Sequence, residues 1–268
     1  MFTVFWRTIK DRKYSIIIFS AAGVLLLWLY ILMFPSMKEM AGNLINLMEG
    51  YPDAFTKMFP ITDASFTSIE NFLAIEQYSL MVPILIIFMM VAIAAVGLAA
   101  EVERGTAEIL LSRPISRIKI FFSRYLVGLS SLLVFIIFST LMIIPLGELH
   151  NIDYILINFV SISVLCFIFG WTIFSIAMML SAIFSERSRV YMIMGGMLVG
   201  MYVMQIVSSI NEKWENLQYI SFFYYYDYNK ALLDNSLETT NVLIFVGIAI
   251  VCMIVGAYWF NKRDIAVQ

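Results

Sequence analysis

Six stretches of about 20 apolar residues, none holding an Asp, Glu, Lys, Arg or His, leave this chain few ways to fold. They are Ser15–Phe34, Ser79–Ala100, Leu126–Leu146, Tyr154–Phe184, Val190–Ile210 and Val242–Phe260. A helix of that length matches the roughly 30 Å hydrocarbon core of a bilayer. Lipid offers backbone groups no water, so each run must satisfy its own N–H and C=O groups as a helix. Composition agrees. The chain is 62% hydrophobic and 13% charged, against about 45–50% and about 25% in soluble domains. A water-soluble fold of 268 residues could not hide so much apolar surface. The expectation is an all-α polytopic membrane protein with about six transmembrane helices, forming one transmembrane domain over residues 1–268. The fourth run is too long for one perpendicular span, so it should tilt, protrude or break near Ser161 and Ser163. The first is too long for a signal peptide and is followed by no small-x-small cleavage site.

Orientation follows from Lys and Arg. Arg7, Lys10, Arg12 and Lys13 precede the first run, and Arg104, Arg113, Arg117, Lys119 and Arg124 follow the second. Arg187 and Arg189 follow the fourth, and Lys262 and Arg263 follow the sixth. These are 13 of the 17 basic residues, all on one side. The other side has only Lys38, Lys57, Lys213 and Lys230, among carboxylates. Both termini are therefore expected in the cytoplasm of a cell whose plasma membrane the chain spans. Within residues 1–13, Phe2, Phe5, Trp6 and Ile9 oppose Arg7, Lys10 and Arg12. That pattern suits an interfacial helix, or equally a frayed start that obeys the positive-inside rule. Pro35–Tyr78 reads as helical pieces, Met37–Met48 and Ser68–Tyr78, interrupted by Gly50, Pro52 and Pro60. Asn211–Thr240 carries Tyr219, Phe222, Phe223, Tyr224, Tyr225, Tyr226 and Tyr228. These suit a membrane-interface belt, with a substrate-contact surface as the other reading.

Catalytic chemistry is missing. His150 is the one histidine, in a short loop beside Glu148 and Asp153, without the partners at set spacing that a metal ligand requires. There is no HExxH, GxSxG or GxxxxGK[ST]. Cys166 and Cys252 sit inside apolar runs and read as small buried hydrophobes. An ion-coupled carrier places ionisable residues inside its spans; here there are none, so energy for transport must come from elsewhere. No enzyme activity, metal site, cofactor or nucleic-acid partner is expected in this chain. Gly196 and Gly200 form a GxxxG on the fifth run, which permits close helix packing within the chain or a dimer seam.

The most polar sequence joined to the membrane domain is Glu101–Lys119, EVERGTAEILLSRPISRIK. If the second span continues as a helix, Glu101, Gly105 and Glu108 share a face, and Arg104 can pair with Glu101 and Glu108. The residue before Pro114 is pushed from the α region, which would end that helix, and Ser116 can cap a second short helix leading into the third span. Such a charged elbow, joined rigidly to two spans, is suited to receive force from a soluble partner. It would equally serve as a solvated loop.

The elbow resembles the hallmark of type-2 ABC transporter permeases, roughly E-E-x-x-G-T-x-E-x-L-L-x-x-P-x-S-R. Glu101, Glu103, Gly105, Thr106, Glu108, Leu110, Leu111, Pro114, Ser116 and Arg117 match it, while Val102 replaces an acidic residue. Met33–Ser36, Phe72–Glu76, Phe222–Asp227 and Phe260–Asp264 are similar to further segments of the six-helix subgroup, although Tyr228 stands where proline is common. The resemblance implies an exporter of two permease chains, identical or different, and two cytoplasmic ATPase chains. The elbow, Arg104 included, would be the coupling helix seated in the ATPase. ATP and Mg²⁺ would belong to that partner. Alternatives are a sensory or assembly subunit, or an ATP-independent channel.

Overall fold

A computed structural model of the chain describes residues 2–48, 68–103, 105, 116–210 and 212–263. Among the described residues there is no strand. Helix α1 spans Phe2–Met48, and α2 runs from Ile69 to Gly97 with π-helical geometry over Ala74–Met81. The short α3 is Ala99–Glu103, α4 is Arg117–Leu141 and α5 is Ile143–His150. Helices α6 (Leu156–Ile183) and α7 (Arg187–Ile210) follow, then a 3-10 segment over Glu212–Ile220. The small α8 (Phe222–Tyr225) and α9 (Tyr228–Leu233) lead to α10, Thr239–Lys262. Six of these helical stretches are long and apolar enough to cross a membrane, α4 and α5 together making the third.

Several boundaries differ from the sequence reading for local reasons. The N-terminal stretch is not a separate interfacial helix, because α1 passes unbroken from Phe2 through Ser15 and on past Phe34. No Pro or Gly lies between Phe2 and Ser15 to end it. Pro35 lies inside the helix; in lipid, a chain with no water to turn to keeps its helical bonding on both sides of such a residue. Met37–Met48 is therefore the C-terminal extension of α1 rather than an independent piece. The fourth span runs without a break through Ser161 and Ser163, and the Ser163 hydroxyl donates to the Phe159 carbonyl at 2.6 Å. Where the third span does break, at Met142, Pro145 lies four residues beyond Leu141. Its ring clashes with that carbonyl and supplies no N–H to it. Asn151, at φ 52°, then closes α5.

The centre of the bundle is α6, apolar all round and packed against α10, α2 and α4, while α1 packs along α4. Contact between α4 and α6 is close because Gly128 faces the ring of Phe174, where a Cβ would collide with three ring carbons. Several polar groups in the interior are satisfied across helices. The Trp171 indole donates to the Tyr125 hydroxyl at 2.7 Å, and Tyr125 also pairs with Ser175. Thr172 donates to the carbonyls of Ile168 and Phe245, at 2.9 and 3.0 Å. Gln77, in the π-helical stretch, is fully buried, and neither amide atom has a partner among the described residues.

The aromatic cluster after α7 is not simply an interfacial belt. Tyr226 and Phe222 are buried, and Tyr226 lies 4.9 Å, ring to ring, from Phe169 of α6. Phe222 and Tyr225 pack on Phe245 of α10. Tyr219 alone of the group remains more than half exposed. Asp227 caps α9 through the Lys230 N–H, so this segment folds back as a plug on the bundle end.

Candidate functional site

Both described ends of the chain meet the second and third spans at one end of the bundle. Asp11 and Arg12 of α1 line a cavity with Glu101 and Arg124, and the Arg117 guanidinium donates to the Arg263 carbonyl just beyond α10. The elbow emerges here.

Each elbow terminus is fastened to a different helix. At Leu98 the α2 backbone turns (φ −126°, ψ −52°), and the Ala99 N–H donates instead to the Ser181 hydroxyl of α6 at 2.9 Å. Glu101 of α3 pairs with Arg124 of α4 at 2.9 Å, with side-chain exposures of 30% and 11%. That pair is half-sheltered, so it is screened less than a surface ion pair. Glu103 accepts the Arg187 backbone N–H at 3.0 Å and faces its Nε at 3.6 Å. A carboxylate at the start of α7 also meets the positive end of that helix dipole.

Gly105 has φ +69° and its N–H donates to the Val102 carbonyl at 3.0 Å. This is the left-handed conformation that commonly closes a helix. The helix ends at Glu103 and does not run on through Gly105, which turns the chain; Glu108, the third member of the expected face, lies outside the described residues. A Cβ built on Gly105 meets no described atom within 4 Å. Glycine is needed here for its φ, a requirement spacing alone does not reveal.

On the return side Ser116 occupies the N-cap position, extended at φ −65° and ψ 146°, but its hydroxyl makes no capping bond. It introduces α4 itself, not a second short helix. Arg117 bonds the Arg263 backbone. Arg263 in turn donates to the Ala182 carbonyl at 3.1 Å and to Ser185, satisfying the frayed C-terminal end of α6. Partial burial lowers the Arg263 pKa below its ordinary value, although a guanidinium remains charged throughout the working range. Arg104, Thr106, Glu108, Leu110, Leu111 and Pro114 lie outside the described residues, as do the Arg104 pairings and the coupling helix itself. The sequence reading missed Arg124, Ser181, Arg187 and Arg263 as elbow anchors. Three of them were visible only as positive-inside charges.

Elsewhere, His150 is not merely solvated. Its Nε2 accepts the Trp28 indole N–H at 3.2 Å. Among the described residues no cluster of three His, Cys, Asp or Glu could hold a metal. Cys166 and Cys252 are free thiols, and Cys166 is buried against the Tyr226 hydroxyl at 3.2 Å. On α7 the GxxxG glycines pack against none of the described residues, since a Cβ on Gly196 or Gly200 meets no described atom within 4 Å.

The search of curated proteins returns no match. The family described as ABC-2 family transporter protein matches residues 7–265. With a match of that length and six helices long enough to cross a membrane, this multi-pass chain belongs to the ABC-2 transporter family and is a membrane permease component of an ABC transporter.

Proposed function

We propose that this permease is the membrane half of an ATP-driven exporter, and that its elbow seats in a separate cytoplasmic ATPase subunit. The observation that carries the reading is the anchoring of the elbow. One terminus is tied through Glu101 to α4 and through Glu103 to α7, and the other through Arg117 to the end of α10. A push on the elbow therefore reaches these three spans as well as the second, which the elbow continues. The chain has no phosphate-cradling loop, so ATP and Mg²⁺ bind the partner and the chain alone does not hydrolyse ATP. Both termini and the elbow face the cytoplasm of a prokaryotic cell, with the chain in its plasma membrane. A second permease chain, identical or not, completes the path by packing on α7. Only 17% of the most apolar stretch of that helix is buried, and its glycine face is open among the described residues.

Co-purification with a co-expressed ABC ATPase tests the docking. Gly105→Trp and Glu108→Lys should insert and express normally yet lose the ATPase, whereas Gly105→Ala should keep it. The alanine variant separates φ strain, about 1–2 kcal/mol outside glycine, from a blocked surface. Wild-type association by both the tryptophan and lysine variants would reduce the elbow to a solvated loop. Cysteine labelling at position 57 in intact cells tests the orientation, and labelling only after lysis would reverse it.

A further inference from the structure

Where α1, the end of α2 and the start of α4 meet, a cavity of about 330 Å³ opens at the elbow end of the bundle. Asp11, Arg12, Val96, Ala100, Glu101 and Arg124 line it. Among the described residues of its wall, the two cations balance the two anions. Val96 and Ala100 belong to the apolar second run, so the mouth lies where hydrocarbon gives way to headgroups. Arg124 is the unusual member. Its side chain is only 11% exposed and one terminal nitrogen meets Glu101, yet its Nε is buried with no acceptor among the described residues. An unsatisfied donor on a buried charged group is expensive, and the cavity beside it has room for the missing acceptor.

We propose that this cavity holds the headgroup of a resident phosphatidylethanolamine-type lipid. A phosphate oxygen accepts from Arg124 Nε in a charge-assisted bond, with the Arg12 charge close by. The primary ammonium donates to the carboxylates of Asp11 and Glu101. The alternating charges select this headgroup. An anionic lipid without an amine leaves both carboxylates facing a phosphate, and a choline headgroup has no N–H to give them. The lipid would brace α1 against α3 and α4 at the root of the elbow. This inference needs only a membrane-spanning chain and is independent of the exporter reading.

The test uses the full chain in nanodiscs of phosphatidylethanolamine, phosphatidylglycerol or phosphatidylcholine, read by melting temperature and by lipid retained in native mass spectra. The wild type should retain one phosphatidylethanolamine per chain and melt highest in that lipid. Asp11→Asn and Arg124→Gln should each weaken retention about tenfold to a hundredfold, the effect of one lost bond to a charged group. Lys13→Gln, outside the cavity, should retain the lipid as the wild type does. Melting in phosphatidylcholine controls for folding, and Asp11→Asn keeps the test decisive if Arg124→Gln does not fold. Equal or stronger retention of phosphatidylglycerol would overturn the proposal in favour of diffuse surface attraction. No retained phosphatidylethanolamine, or retention unchanged in both cavity variants, would leave a water-filled cleft. Equal competition by soluble glycerophosphoethanolamine would assign the site to a soluble ligand instead of a membrane lipid.

Discussion

Gly128→Ala and Gly200→Ala make the same change in two membrane helices with opposite expected outcomes. At Gly128 the new Cβ would lie 2.6 Å from Cε1 of Phe174 and closer still to Cζ. Phe174 is fully buried and cannot swing aside. Its ring sits 5.2 Å from that of Tyr125, which is pinned by Trp171 and Ser175. Overpacking of this kind costs about 1–3 kcal/mol, and exchanging a helical glycine for alanine returns up to about 1 kcal/mol. With the full return the net loss runs from about zero to about 2 kcal/mol, up to roughly 8 °C in melting temperature for a chain of this size. At Gly200 the Cβ meets no described atom, so only the propensity gain remains, about 1 kcal/mol and 2–4 °C upward. Melting in one detergent, followed by tryptophan fluorescence, makes the comparison. If Gly128→Ala stabilised the chain as much as Gly200→Ala, the close approach of α4 to α6 would be refuted. Cross-linking adds a second readout: Gly200→Ile should lower the dimer fraction if α7 meets a second permease chain, while protomer melting is unchanged.

Replacing the buried Gln77 by methionine removes, at similar volume, two polar atoms unsatisfied among the described residues. It should stabilise the chain by about 1–3 kcal/mol; a lower melting temperature would mean that the amide has partners in the membrane. Glu101→Gln and Arg124→Gln should each cost roughly 1–3 kcal/mol as one charge loses its half-buried partner. In a double-mutant cycle the two losses should be strongly non-additive, and simple additivity would deny the pair.

Much of the architecture could be read from composition along the chain. Transfer into hydrocarbon is a local free energy summed over about 20 residues, so six spans and the crowding of basic residues at one end needed no tertiary information. The elbow motif likewise placed Glu101, Glu103 and Gly105 at the root of a membrane-bound loop. Tertiary structure decided the partners. Glu101 pairs with Arg124, 23 positions away on another helix, because the rotational phase of α4 against α3 brings them together. Local i, i+3 and i, i+4 spacing offered only Arg104. Gly105 was visible as a glycine, but its φ of +69° belongs to the way the chain leaves α3. Tyr226 and Phe222 scored as interfacial aromatics, yet the fold-back after α7 carries them against Phe169 and Phe245. The glycines of α7 and of α4 look alike in sequence. The space at Gly128 is filled by Phe174 and that at Gly200 by none of the described residues, since which face of a helix meets protein depends on its neighbours and not on its own residues.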